Sequence, residues 1–112
     1  GQRAGIMMMM AEGARDDDEV FVYMGGDQQV PWGVRRARIH KSVKIVPARA
    51  FYYRRQLIYV EFHDDIEIIE ECAFWGCHSL RSIKLLGVRI IKAVAFYNCY
   101  GLTDVEFGDK LE

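Results

Sequence analysis

The chain has 112 residues, enough for one modest domain. It is 51% hydrophobic and 12% aromatic, which excludes a wholly disordered chain, and 15 basic against 16 acidic residues leave a net charge of −1, with no global pull toward nucleic acid or an anionic membrane. The longest early apolar run, residues 6–11, is too short for a membrane span or a signal-peptide core, and three cysteines are too few for a disulfide framework.

The first residue is Gly, so the chain reads as a fragment of a longer protein. Residues 1–18 read as a disordered, low-complexity segment, with Met7 to Met10 followed by the charged run Arg15 to Glu19. Residues 19–33 read as an N-terminal capping strand and turn. Val20 to Tyr23 has strand composition, Gly25-Gly26-Asp27 marks a turn, and Pro31-Trp32-Gly33 punctuates again.

From residue 34 the sequence repeats itself every 22 or 23 residues. Val43 to Phe51, Ile66 to Phe74 and Val88 to Phe96 superpose. Each is followed by an apolar triplet of the form L-x-x-V-x-F: Leu57, Val60, Phe62; Leu80, Ile83, Leu85; Leu102, Val105, Phe107. Val34, Ala37 and Ile39 form a degenerate earlier copy. A repeat of this length is one supersecondary unit that buries its apolar face only by stacking on its neighbours, hence a solenoid. Leu111 corresponds to Val88 and Ile66, so a further segment begins there. The last complete coil is expected to present an apolar edge that pairs with further repeats or self-associates.

Within each triplet the last two apolar residues are two apart, the period of a strand, so both face inward and the residue between them faces outward. Three outward columns follow. One is Arg38, Glu61, Lys84, Glu106, whose charges alternate in sign and read as a register-fixing ladder or as a patterned binding surface. The second is Arg36, Tyr59, Ser82, Asp104, and the third is His40, His63, Leu86, Gly108. The inward columns hardly change from copy to copy, whereas the outward ones vary. The Phe51, Phe74, Phe96 column is expected in the core. The adjoining Tyr52, Trp75, Tyr97 column either shields it or forms an exposed aromatic strip.

The pattern L-x-x-V-x-F with I-x-x-I-x-x-x-A-F-x-x-C resembles the BspA-type leucine-rich repeats. It is carried by Leu80 to Leu85, Ile66, Ile69, Ala73-Phe74 and Cys77, and again by Leu102 to Phe107, Val88, Ile91, Ala95-Phe96 and Cys99. The resemblance covers residues 34–112, and the first copy departs from it with Arg54 in the Cys position, which implies a looser coil. It implies a leucine-rich-repeat solenoid, mostly β, with a short parallel concave sheet and turns or single helical turns on the convex side. It also implies an interaction or adhesion module, not an enzyme, and names no ligand.

The titratable residues form no catalytic or metal-binding constellation in the sequence. His63, Cys72, Cys77 and His78 lack a zinc spacing, and the repeat register turns Cys77 inward and His63 outward. Cys77 and Cys99 read as buried thiols, close enough in the stack for a disulfide to be conceivable. His40 and His63 fall in one column rather than beside a nucleophile. No phosphate-binding glycine loop is present. The basic run Arg35, Arg36, Arg38, His40, Lys41, Lys44 reads as a solvated face, not a nucleic-acid site. No catalytic residue, metal or cofactor is assigned, and no compartment is indicated. The expected function is a non-enzymatic protein-interaction module. It would bind an unidentified protein partner on the concave columns through Arg36, Arg38, Tyr59, Glu61, His63, Lys84 and Glu106. The other reading is a structural capping fragment of a longer adhesin or surface-type array, with recognition elsewhere.

Overall fold

The two-residue alternation inside each apolar triplet fixes the strands. The computed structural model describes residues 19–112, so the segment 1–18 lies outside the described residues. Eight short strands appear in chain order: β1 (Phe21–Tyr23), β2 (Arg36–Ile39), β3 (Ile45–Val46), β4 (Tyr59–Glu61), β5 (Ile68–Ile69), β6 (Ser82–Leu85), β7 (Ile90–Ile91) and β8 (Asp104–Phe107). They form two parallel sheets, of order β1-β2-β4-β6-β8 and β3-β5-β7. The chain winds through about three turns of a β-solenoid. Among the described residues there is no helix; the Ala-Phe segments are turns.

The register is the one the repeat spacing requires. Arg36 lies opposite Tyr59, Tyr59 opposite Ser82 and Ser82 opposite Asp104, while Arg38 faces Glu61 and Lys84 faces Glu106. Ala37, Val60 and Ile83 point inward and are buried, as are Val46 and Ile69 of the second sheet. Between the sheets runs a column of phenylalanine rings. Phe51 stacks on Phe74 with centroids 4.8 Å apart and planes 8° off parallel, and Phe74 on Phe96 at 5.1 Å and 4°. These separations sit close to the roughly 4.8 Å between neighbouring strands, so the rings repeat at the rise of the coil. The turns are tied together as well: the Phe51 N–H donates to the Ala73 carbonyl and the Phe74 N–H to the Ala95 carbonyl, both at 2.7 Å.

Two left-handed positions recur in every turn. Two residues before each phenylalanine stand Arg49 (φ 60°), Cys72 (φ 60°) and Val94 (φ 51°); two residues after it stand Tyr53 (φ 55°), Gly76 (φ 79°) and Asn98 (φ 62°). The chain reverses sharply on both sides of the buried ring, and left-handed residues supply the reversal. Outside glycine this conformation costs roughly 1–2 kcal/mol per residue, so the turns hold strain that the stacked core offsets. Gly76 and Asn98 are residues that favour positive φ, but Arg49, Cys72 and Val94 are not, and at those three the sequence carries little sign of it.

The difference between 22- and 23-residue repeats also has a place. After β4 the corner is Asp64-Asp65; after β6 it is Gly87 alone. A Cβ on Gly87 would collide with the Asp64 carbonyl oxygen of the coil beneath, so the shortened corner demands glycine.

The two ends differ. At the N-terminal side β1 pairs with β2, Tyr23 tilts over Phe51 at 5.4 Å, and Val30 and Val34 are buried beside it. Tyr23 is a fully buried side chain whose hydroxyl donates to the Gly26 carbonyl at 3.0 Å. At the other end β8 pairs only with β6 among the described residues. Its inward residues Val105 and Phe107 are 46% and 45% exposed, although their counterparts Ile83 and Leu85 are buried. The apolar edge expected from the repeat pattern is therefore present.

Candidate interaction face

The outward side of the five-stranded sheet carries the columns singled out from sequence. Strand alternation lifts Arg38, Glu61, Lys84 and Glu106 off the core, and all four are exposed. One rung of the expected charge ladder closes as an ion pair, Arg38 Nε to Glu61 Oε1 at 3.3 Å with both side chains half exposed. A pair so exposed contributes roughly 0.2–1 kcal/mol. Lys84 and Glu106 face each other in register and border a shallow depression of about 210 Å³ with Ser82, Ile83, Asp104 and Val105. Tyr59 is 42% exposed between half-buried Arg36 and Ser82. Arg36, Arg38, Tyr59, Glu61, Lys84 and Glu106 thus lie together on adjacent strands.

His63 stands apart from them. It falls past the end of β4, and both ring nitrogens are occupied: Nε2 lies 2.9 Å from the Val43 carbonyl of the coil below, and Nδ1 accepts the Asp65 N–H at 3.1 Å. The ring therefore carries its proton on Nε2 and ties a corner to the neighbouring coil. His40 is engaged likewise, with Nδ1 accepting the Ser42 N–H at 3.1 Å.

The cysteines are free thiols. Cys77 Sγ donates to the Phe51 carbonyl at 3.2 Å and Cys99 Sγ to the Phe74 carbonyl at 3.1 Å, each reaching back one coil. The neighbouring Cys99 thiol, followed by burial, pushes the Cys77 thiol well up. Among the described residues no three His, Cys, Asp or Glu side chains come together as a cation site. Arg54, the exception in the cysteine column, does not loosen its coil. It is only 4% exposed and donates through Nε and Nη2 to the Val30 carbonyl, at 3.1 and 2.7 Å, and through Nη1 to the Tyr52 carbonyl. A long side chain reaches the acceptor that the preceding, irregular segment offers.

Sequence reasoning overlooked a second charged column. Lys44, Glu67, Arg89 and Glu112 alternate in sign beside the second sheet. Arg89 pairs with Glu112 at 2.7 Å and approaches Glu67 at 4.0 Å, while Lys92 pairs with Glu70 at 3.1 Å. The same test that found the first ladder, reading one fixed repeat position down the chain, finds this one. On the turn side Tyr52, Trp75 and Tyr97 form a ladder with centroids 6.2 and 4.7 Å apart. Trp75 is half-buried, its Nε1 enclosed without a partner, whereas Tyr97 is exposed.

The family model described as BspA type Leucine rich repeat region matches residues 34–112, the stretch that forms the stacked coils. The chain belongs to the BspA-type leucine-rich repeat family. No curated protein and no solved structure matches it. The BspA-type leucine-rich repeat family is a repeat and interaction family, not typically an enzymatic one. Among its described residues no helix is long and apolar enough to cross a membrane.

Proposed function

We propose that this BspA-type solenoid is a non-enzymatic protein-interaction module that engages its partner on the concave, outward side of the five-stranded sheet. One observation carries the reading. The inward columns stay apolar from coil to coil, whereas the outward columns present Arg36, Tyr59, Ser82 and Asp104 at one level and Arg38, Glu61, Lys84 and Glu106 at the next. Burial accounts for the constancy of the first set. Cross-strand pairing favours the alternating signs of the Arg38, Glu61, Lys84, Glu106 column, but burial does not dictate the residues of the Arg36, Tyr59, Ser82, Asp104 column, which leaves those positions free to carry specificity. A tyrosine flanked by charges of both signs suits a polar protein surface.

The test is capture of partners by the full chain, by the Tyr59→Ser/Lys84→Glu variant and by an Ile45→Ser control on the second sheet. Loss of partners with the first variant alone, at unchanged circular dichroism, supports the reading. Loss only with the control places binding on the other sheet and refutes it.

The apolar edge at Val105 and Phe107 favours a second reading, in which this segment caps a longer adhesin or surface-type stack and recognition lies elsewhere. A longer chain that binds a partner this segment does not bind would establish it.

A further inference from the structure

The column that holds Cys77 and Cys99 in later coils holds Arg54 in the first. Each cysteine presents one S–H to a carbonyl one coil back. Arg54 does the corresponding work toward the capping segment through the Val30 carbonyl. A neutral donor would suffice for that bond. The guanidinium brings a full positive charge into a site where the residue is 4% exposed, and among the described residues no carboxylate lies within ion-pair distance of it. Buried charge is ordinarily matched by an opposite charge. Burial alone already lowers the affinity of this group for its proton. Trp32 covers the guanidinium, with the ring centroid 3.7 Å from Cζ. Nε, Nη1 and Nη2 each spend a hydrogen on a backbone carbonyl, which leaves two of the five N–H groups of an arginine uncommitted.

Arg54 lines a cavity of about 380 Å³ between the capping loop and the first turn of the solenoid. Its walls include Tyr23, Gln28, Trp32 and Tyr52. Arg49 adds a second positive charge, and Asp27 is the one acid in the lining. A two-hydrogen guanidinium fork matches the two oxygens of a carboxylate, and aromatic walls match a flat apolar body. The volume falls in the range of roughly 300–1,000 Å³ usual for small-molecule sites.

We propose that this capping cavity binds a small carboxylate with an aromatic body, its oxygens on Arg54 and its ring among Trp32 and Tyr52. The site is separate from the sheet face and does not depend on it.

Sodium benzoate, its neutral isostere benzamide and sodium chloride at matched ionic strength are titrated against the full chain, read by tryptophan fluorescence and by thermal melting. Benzoate should give a saturable fluorescence change, with a midpoint on the order of millimolar for so small a ligand, and a raised melting temperature. Benzamide and chloride should give neither. Arg54→Met should abolish the response. Should that variant fail to fold, Arg49→Gln, an exposed position, should weaken benzoate at least about threefold through its lost charge. Equal responses to benzoate and benzamide on the unaltered chain overturn the proposal, as does the absence of saturable change up to about fifty times the expected midpoint.

Discussion

Truncation of the three stacked phenylalanines should separate them by depth in the column. Phe74 is fully buried, stacks on Phe51 and Phe96 on either side, and meets Phe62 edge-on at 5.6 Å. Phe51 has Tyr23 and Phe74 as ring partners, and Phe96, only partly buried, has Phe74 alone. Phe→Ala in a core costs about 3–5 kcal/mol, and each aromatic pair accounts for about 0.5–1.5 kcal/mol beyond area. Phe74→Ala therefore belongs at the upper end, about 4–5 kcal/mol. Phe96→Ala, with part of its area already wet and one ring partner, belongs nearer 2 kcal/mol. The central loss is also a large part of the roughly 5–15 kcal/mol typical of a domain, and it cuts the stack between neighbours that depend on each other. At about 4–8 °C per kcal/mol, Phe74→Ala should lower the melting temperature by at least about 16 °C, and Phe96→Ala by about half as much. Urea titrations followed by far-ultraviolet circular dichroism give the order directly. If Phe96→Ala costs as much as Phe74→Ala, the burial and stacking described for the column are wrong.

Other outcomes follow from the turns and thiols. Val94 is a β-branched residue at φ 51°, so Val94→Asn should stabilise by about 0.5–1 kcal/mol, seen as a higher urea midpoint. Gly76→Ala should destabilise, since φ is 79° and the new Cβ would come within 2.6 Å of Tyr53 Cδ1; adding Tyr53→Ala should recover the steric part, so the double variant melts above the single one. The Cys77 thiol is raised above its unfolded value, so its contribution to stability is complete below pH about 8.5 and is lost as pH climbs above that, because only the unfolded chain then ionises. Melting temperatures between pH 7 and 10 should fall less steeply for Cys77→Ala than for the parent chain, and native alkylation of Cys77 should be slow across that range.

Most of the fold was readable in the repeats because burial imposes the same demand on every coil. Val60 and Ile83, or Phe51 and Phe74, meet equivalent surroundings, so the columns align wherever the chain is cut into 22- or 23-residue units. What escaped notice was what depends on backbone geometry or reach. The left-handed turns at Arg49, Cys72 and Val94 use residues that do not advertise them. Arg54 interrupts the cysteine column, and only its reach to the Val30 carbonyl accounts for it. His63 shared a column with outward residues, yet it sits beyond its strand and bonds to the Val43 carbonyl, a tie that only the fold reveals.

The unlike ends of the solenoid limit how copies of it can associate. A heterologous, head-to-tail contact would have to seat the exposed Val105 and Phe107 of one molecule on the first strand of another. There Tyr23, Val30 and Val34 are already turned inward and sealed. Those three side chains are out of reach of such a contact. The remaining symmetric solution is isologous, edge to edge about a two-fold axis; with Val105 on the axis it would bring Asp104 of one copy against Glu106 of the other. Like charges opposed across a strand pair are unfavourable. The acidic outward residues of β8 thus favour a neighbouring strand of basic outward character over a copy of β8 itself.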